Sequence, residues 1–256
     1  MKPTVIAVAG KGGTGKTTLC GMLIRYLSAK GGAVLAVDAD PNSNLNEVLG
    51  VEVEMTLGDI REQIIRSETG AGEPLPPGMS KQDYASYMFG SALTEEDGFD
   101  MLVMGRTQGV GCYCYVNGVL KTQIDKYSSA YKWIVVDNEA GMEHISRGTL
   151  PQIDILLLVS DCSLRGIQAA GRLDQMVREL KLNPGTMGII VNRAPDGRPD
   201  PGVQDEISRQ GLTLLGVVPQ DETIYRYDCS GQPVADIPAD SPAKAALSSI
   251  IDKLGV

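Results

Sequence analysis

The segment from Gly10 to Thr18 constrains this chain more than any other, because it joins a short apolar run to a helical one. It reads G-K-G-G-T-G-K-T-T and fits G-x-x-x-x-G-K-[ST], the loop in which backbone N–H groups and a helix N-terminus converge on phosphate. The motif predicts a nucleotide site with Lys16 on the β- and γ-phosphates and the Thr17 hydroxyl on Mg²⁺. The predicted phosphate-binding residues are Gly12, Gly13, Thr14, Gly15, Lys16, Thr17 and Thr18.

Apolar runs rich in β-branched residues alternate with helical stretches along the rest of the chain. Several of these runs lack the polar alternation of a half-exposed strand, as expected when helices cover both faces of a parallel sheet. The sequence therefore predicts an α/β fold with a doubly wound, mostly parallel sheet flanked by helices. The predicted strands cover residues 4–9, 34–38, 101–104, 133–137, 155–160, 188–192 and 214–218.

A single domain over residues 1–256 is predicted, because α/β domains of this length are common. Strand signals are absent between about residues 56 and 98, which predicts an insert of surface helices and a loop. Near the end of the sequence, apolar residues recur at helical spacing and fit either a helix packed on the core or a weak membrane anchor. Packing is the favoured alternative for these residues, which are Leu247, Ile250, Ile251 and Leu254.

The balance of charge argues against two classes of partner. With 32 acidic and 23 basic side chains, the formal net charge is −9, so no broad positive field attracts nucleic acid or anionic lipid. The sequence enters a strand-like run at once, which leaves no room for a signal peptide, and no apolar stretch approaches the roughly 18 residues that span a bilayer. We expect a cytoplasmic protein with no nucleic acid partner and no stable membrane association.

A second lysine, Lys11, stands near the start of the phosphate loop. In this feature K-G-G-T-G-K-T-T resembles the deviant Walker A ATPases, a family that includes cell-division and partition ATPases, nitrogenase iron protein and metallocofactor maturation factors. The resemblance implies Mg²⁺-dependent ATP hydrolysis by a nucleotide-gated homodimer. It also implies that Lys16 and Lys11 are catalytic, with Lys11 reaching the partner's phosphates to stabilise charge in the transition state.

The sequence V-D-A-D-P-N at residues 37–42 resembles the first switch of that family. The resemblance implies that Asp40 is catalytic and positions or activates the attacking water. Asp38 is expected to support magnesium or to order the loop. Carboxylates that follow a strand are often only helix caps, so this interpretation depends on the phosphate loop.

The apolar run that ends in Asp137 resembles a Walker B strand. The resemblance implies that Asp137 holds Mg²⁺ through water and that Gly141 senses the γ-phosphate through its N–H and moves the second switch. Many relatives carry Thr or Pro where this chain has Asn138 and Glu139. The contacts of the second switch therefore stay open.

Asn192 closes a predicted strand where the family places an asparagine against adenine, and its amide offers both a donor and an acceptor. Three residues later stands Pro195 rather than the aspartate that pairs with guanine, so ATP is favoured over GTP. The sequence V-P-Q-D at residues 218–221 resembles a second adenine-contacting segment that acts largely through its backbone. The predicted base-contacting residues are Asn192, Arg193, Pro219, Gln220 and Asp221.

Cys112 and Cys114 form a C-x-C pair that follows glycines and is flanked by tyrosines. Thiolates favour Zn²⁺, Ni²⁺, Cu⁺ or iron–sulfur clusters, and two chains meeting at a two-fold axis would assemble four sulfurs. Buried, inert cysteines are the alternative. The other cysteines, Cys20, Cys162 and Cys229, are predicted to be structural.

A C-x-C pair after the third predicted strand of a deviant P-loop ATPase most closely resembles the accessory ATPases that mature carbon monoxide dehydrogenase by supporting nickel insertion. The resemblance implies nickel or zinc at a thiolate site that bridges the dimer, and carbon monoxide dehydrogenase or a similar nickel enzyme as client. An iron–sulfur carrier or redox ATPase would use the same cysteines. A membrane- or DNA-associated positioning or partition ATPase should instead carry a basic patch or tail.

Overall fold

The computed structural model describes residues 2–42, 44–105, 122, 126, 128–138 and 152–256. Its strands are β1 (Thr4–Gly10), β2 (Val34–Asp38), β3 (Leu93–Glu96), β4 (Phe99–Val103), β5 (Trp133–Asp137), β6 (Ile155–Asp161), β7 (Thr186–Ala194) and β8 (Leu214–Pro219). They form one sheet in the order β3-β4-β2-β5-β1-β6-β7-β8, in which only the β3–β4 pair is antiparallel. The predicted mostly parallel sheet is confirmed.

Helices cover both faces of this sheet. Those of the described residues are α1 (Lys16–Ala29), α2 (Leu45–Leu49), α3 (Leu57–Thr69), α4 (Lys81–Ala92), α5 (Leu164–Glu179), α6 (Pro201–Arg209), α7 (Glu222–Cys229) and α8 (Pro242–Lys253). Apolar residues of α3, α4, α5 and α6 pack on one face, and those of α1, α2 and α8 pack on the other. The fold is therefore doubly wound, as predicted.

Strand β1 shows why the apolar runs lack polar alternation. Val5 and Ala7 join the core on the α5 face, whereas Ile6 and Val8 join the core on the α1 face. Successive side chains of a strand point to opposite faces, so a strand covered on both sides needs apolar residues at every position.

The segment 56–98 differs from its prediction in two respects. It contains a strand, β3, which pairs antiparallel with β4. The sequence L-T-E-E gave no strand signal because these residues lie half-buried or exposed at the edge of the sheet. Its helices are also not confined to the surface, since Ile60 and Ile64 of α3 and Phe89 of α4 are buried in the core.

The apolar face of α8 packs on the sheet. Leu247, Ile250 and Ile251 are buried, and a Cβ atom added at Gly216 of β8 would lie 2.4 Å from the side chain of Ile250. The favoured packing alternative is therefore the one observed. None of the helices among the described residues is long and apolar enough to cross a bilayer.

Candidate nucleotide-binding site

The loop between β1 and α1 has one open side and one side backed by protein. Cβ atoms added at Gly12 and Gly13 would meet nothing within 4 Å, whereas one at Gly10 would lie 2.2 Å from the carbonyl oxygen of Val159 and one at Gly15 would lie 2.4 Å from a side-chain amide of β7. Gly13 and Gly15 have φ angles of 81° and 86°, a region that favours glycine. The open side is where a phosphate chain has room to approach the backbone.

The side chains of the loop divide between buried and exposed positions. Lys16, the first residue of α1, is only 7% exposed, and Thr14 is buried with its hydroxyl donating to the carbonyl of Lys11 at 2.8 Å. The Lys11 side chain is exposed, and those of Thr17 and Thr18 are half-buried. One lysine is therefore fixed at the start of the helix, and the other is accessible from outside.

Two carboxylates lie side by side at the ends of neighbouring strands. Asp38 ends β2 and Asp137 ends β5, and they are direct partners in the parallel register. They are 0% and 1% exposed. Burial raises the pKa of Asp38 to about 6, and burial together with the charge of Asp38 raises the pKa of Asp137 to about 7.

Asp38 orders the loop that follows β2. One of its carboxylate oxygens accepts a hydrogen bond from the N–H of Asp40 at 3.0 Å, and the other accepts one from Leu45 at the start of α2 at 3.1 Å. Asp40 is half-buried, and its own carboxylate accepts from the N–H of Asn42 at 2.8 Å. These contacts support the loop-ordering role, which is one of the two roles expected for Asp38.

Asp137 has an oxygen available to a cation. Its carboxylate accepts a hydrogen bond from the Thr17 hydroxyl, while its Oδ1 is buried without a hydrogen-bond partner among the described residues. A hard divalent cation prefers oxygen ligands and offsets clustered negative charge. Thr17, Asp137 and the neighbouring Asp38 therefore fit Mg²⁺, and we call these three residues the magnesium side of the site.

Asn138, the residue that follows the Walker B aspartate, contacts a neighbouring strand. Its side-chain Nδ2 and its backbone N–H both donate to the carbonyl of Val8, each at 3.0 Å. Both bonds tie the residue that follows β5 to Val8 within β1. Glu139 and Gly141 lie outside the described residues.

The end of β7 backs the phosphate loop on the opposite side. Asn192, 4% exposed, donates from Nδ2 to the carbonyl of Thr14 at 2.9 Å, and Arg193 donates from Nη1 to the carbonyl of Gly13 at 3.2 Å. The structure thus places both predicted base-contacting residues against the loop itself. Nothing in the local sequence indicates these contacts, because they join segments about 180 residues apart.

A cavity of about 760 Å³ opens beside this strand end. Its lining includes every predicted base-contacting residue, so the structure brings together segments that the sequence analysis matched separately. Residues of α7 and of two other segments also line it, and no motif marked them in the sequence. The full lining is Thr18, Val48, Asn192, Arg193, Pro219, Gln220, Asp221, Glu222, Ile224, Tyr225, Arg226, Asp228 and Val234.

The carboxylate of Asp221 is occupied by structural hydrogen bonds. It accepts from the N–H of Thr223 at 2.8 Å, which caps α7, and from the Ser241 hydroxyl at 2.5 Å and the N–H of Ala243 at 3.3 Å, which hold the start of α8. Burial would raise the pKa of Asp221, but these hydrogen bonds together lower it. The predicted contact of this segment with the base is one made through the backbone, which these side-chain bonds leave unaffected. We call Asn192, Arg193 and Asp221 the base side of the site.

The cysteines of the predicted thiolate site, Cys112 and Cys114, lie outside the described residues. Among the residues that are described, no group of three or more His, Cys, Asp and Glu side chains is arranged to hold a metal ion. Cys20 is buried in α1 and Cys162 is half-buried after β6. Cys229, at the end of α7, is exposed and takes no part in the core.

Fold and loop together define a P-loop nucleotide-binding protein. Residues 5–234 match the model of the CobQ/CobB/MinD/ParA nucleotide binding domain, and the chain belongs to that family. The predicted P-loop ATPase is thereby confirmed, and the family implies ATP with Mg²⁺.

Known proteins of several roles resemble the chain along most of its length. An uncharacterized ATP-binding protein of Methanocaldococcus jannaschii is 38% identical over 251 residues, 98% of each chain. The carbon monoxide dehydrogenase accessory protein CooC of Rhodospirillum rubrum is 31% identical over 270 residues, covering 98% of this chain and 97% of that protein. The septum site-determining protein MinD of Pyrococcus horikoshii, solved with Mg-ADP, superimposes with a TM-score of 0.70 at 23% identity, over 99% of this chain and 97% of that one.

Proposed function

We propose that this chain is an ATP-driven maturation factor that supports nickel insertion into carbon monoxide dehydrogenase or a similar nickel enzyme. The observation that carries the proposal is the similarity to a carbon monoxide dehydrogenase accessory protein, 31% identical along nearly the whole of both chains. The C-x-C pair at Cys112 and Cys114 adds a chemical reason, because thiolates bind nickel and zinc.

For hydrolysis, the buried Lys16 and the N–H groups of the open loop hold the phosphates, and Asp40 positions the attacking water. Thr17 and Asp137 would hold Mg²⁺, which would supply positive charge to neutralise the phosphates during transfer. Asp38 acts through the first switch loop, whose backbone it fixes at two N–H groups. The cytoplasm is the expected location.

Lys11 gives the homodimer its role in this proposal. Its side chain is exposed at the start of the loop, and the resemblance to the deviant Walker A ATPases implies that its ammonium group reaches phosphates bound to a partner subunit. ATP binding then closes the dimer, the four thiolates capture one nickel or zinc ion, and hydrolysis releases it to the client.

We expect Lys11→Ala to slow turnover about 100-fold while leaving ATP affinity of the monomer nearly unchanged, with the exposed Lys2→Ala as a matched control.

The test is metal stoichiometry of the purified protein with ADP and with ATP. Nickel and zinc should reach about one ion per two chains, and Cys112→Ala and Cys114→Ala should each abolish binding, while the exposed Cys229→Ala should not. Unchanged stoichiometry in both cysteine variants would exclude the thiolate site. Iron and sulfide with visible absorption would identify the iron–sulfur carrier or redox ATPase instead.

A positioning or partition ATPase is the second candidate, favoured by family membership and by the full-length similarity in fold to MinD. Such a protein binds membrane or DNA in its ATP-bound dimer. The apolar face of α8, which could have served as an anchor, is instead buried against the sheet. Cosedimentation with anionic vesicles or DNA in the presence of ATP separates the two candidates: the maturation factor should stay in the supernatant, and ATP-dependent pelleting would favour positioning.

A further inference from the structure

Two consecutive residues at the end of β7 hold two consecutive carbonyls of the phosphate loop. Asn192 binds the Thr14 carbonyl and Arg193 binds the Gly13 carbonyl, at 2.9 and 3.2 Å. We propose that Asn192 and Arg193 are positioning residues for the phosphate loop, so that filling the base cavity strengthens phosphate binding. This proposal rests on the nucleotide-binding role of the site and specifies how its two halves communicate.

The Asn192 side chain is fixed at both ends of its amide. Its Oδ1 accepts a hydrogen bond from the backbone N–H of Arg193 at 2.9 Å, and its Nδ2 donates to Thr14. A primary amide has two donor hydrogens and two acceptor lone pairs, so one of each remains for a purine base in the adjoining cavity. One buried group therefore holds the loop and keeps a donor and an acceptor for a base.

Holding the Thr14 carbonyl sets the direction of a phosphate-binding donor. The described residues contain no cis peptide bond, and in a trans peptide the C=O and the following N–H point in opposite directions. Because Asn192 draws the Thr14 carbonyl towards β7, the N–H of Gly15 points away from β7, to the open side of the loop. Preorganised backbone donors of this kind stabilise anionic phosphate.

The geometry of β7 explains why Arg193 reaches the loop. The β7–β8 register shifts between Val191 and Ala194, and Arg193 within this irregularity has a φ of 57°, which is uncommon for a residue other than glycine. Bulges of this kind redirect side chains at functional sites. Here the redirected guanidinium lies over the loop, 3.6 Å from the position that a Cβ of Gly15 would take.

The experiment uses a ligand that has phosphates and no base. Binding of Mg-tripolyphosphate and of Mg-ATP is measured by calorimetry for the wild type and for Asn192→Ala, Arg193→Lys and Lys253→Ala. Asn192→Ala should weaken tripolyphosphate about 10-fold and Arg193→Lys, which keeps the charge, about 3-fold. Lys253→Ala, exposed on α8 and outside the cavity lining, should leave the binding of both ligands unchanged.

A loss of ATP affinity in Asn192→Ala with unchanged tripolyphosphate affinity would make Asn192 a base reader only and overturn the proposal. Wild-type protein that binds neither ligand would contradict the proposed function instead. A measurement on the wild type avoids any effect of a variant on folding. Since the proposal couples the base cavity to the loop, saturating adenosine should raise the affinity for pyrophosphate several-fold, and pyrophosphate should raise the affinity for adenosine by the same factor. No change with adenosine would also overturn the proposal.

Discussion

The base side and the magnesium side of the phosphate loop contain similar numbers of polar groups but differ in how these groups are satisfied. Asn192 and Asp221 use their side chains to hold neighbouring backbone groups, and the pKa of Asp221 is lowered. Asp38 and Asp137 are buried side by side, and the pKa of each is raised. On the base side these side chains already bond to protein groups, whereas the magnesium side buries two neighbouring carboxylates whose charge the nearby Lys16 offsets only in part.

The largest effect should come from removing the negative charge of Asp137. Asp137→Asn keeps the size of the side chain and an acceptor for the Thr17 hydroxyl but loses the charge that binds Mg²⁺. We expect Mg²⁺-dependent ATP turnover to fall about 100- to 1000-fold in a steady-state phosphate-release assay. Asp252→Asn, at an exposed carboxylate of α8, should remain within about twofold of the wild type, and equal losses in both variants would contradict the assignment.

The stability of the metal-free protein should also depend on the charge of Asp137. The pKa of Asp137 is about 7 in the folded chain against an ordinary 3.8, so between these values the folded chain binds a proton that the unfolded chain has released. The free energy of unfolding contributed by Asp137 therefore falls as pH rises from about 4 to about 7, by on the order of 4 kcal/mol. The raised pKa of Asp38 acts in the same direction.

Urea unfolding in the presence of a chelator checks this expectation. Asp137→Asn should be more stable than the wild type at pH 8, and the difference should shrink towards pH 4. Added Mg²⁺ should stabilise the wild type at pH 8 and the variant much less. A variant less stable than the wild type at both pH values would show that Asp137 carries no uncompensated charge.

Local sequence was sufficient for the strands that end at the site. β2 and β5 were predicted with the bounds that the structure shows, since strands buried on both faces are uniformly apolar and end abruptly in Asp38 and Asp137. β3 escaped prediction because an edge strand is partly solvated and needs no such pattern. Its formation depends on pairing with β4, a contact that local pattern does not express.

The phosphate loop was also evident from sequence, but the hydrogen bonds that β7 donates to it were not. The motif names Thr14 and Gly15, and the resemblance to a family named Asn192, yet the hydrogen bond between Asn192 and Thr14 is a tertiary contact. Likewise, the sequence gives no reason for Arg193 to adopt a left-handed backbone conformation. Such features follow from how β7 and β8 pair, so they require the assembled sheet.

A smaller effect should come from disturbing the base side at Gly15. An alanine here combines a φ of 86° with a Cβ only 2.4 Å from Nδ2 of Asn192, so Gly15→Ala should lose about 2 kcal/mol of unfolding free energy without nucleotide. Gly12→Ala, where a Cβ meets nothing within 4 Å, should change it by less than about 0.5 kcal/mol. Equal losses in the two variants, measured by urea unfolding, would mean that β7 does not back the loop.

The smallest effect should come from Asp221, whose pKa is shifted in the direction opposite to that of Asp137. Asp221→Asn still caps α7 through Thr223, but its amide replaces the oxygen that accepts from Ser241 and Ala243, so we expect a loss of about 1 kcal/mol at pH 7. Because the pKa of Asp221 is lowered in the folded chain, its contribution is present at neutral pH and is lost as pH falls through that pKa. The difference in stability between wild type and Asp221→Asn should therefore shrink on acidification, and the wild type should be the more stable protein. For Asp137→Asn the difference also shrinks on acidification, but there the variant is the more stable protein.

Asp228→Asn, exposed on the same helix, controls for the general loss of one charge. If Asp221→Asn and Asp137→Asn changed the free energy of unfolding in the same direction, the two sides of the loop would not differ in how their charged groups are stabilised.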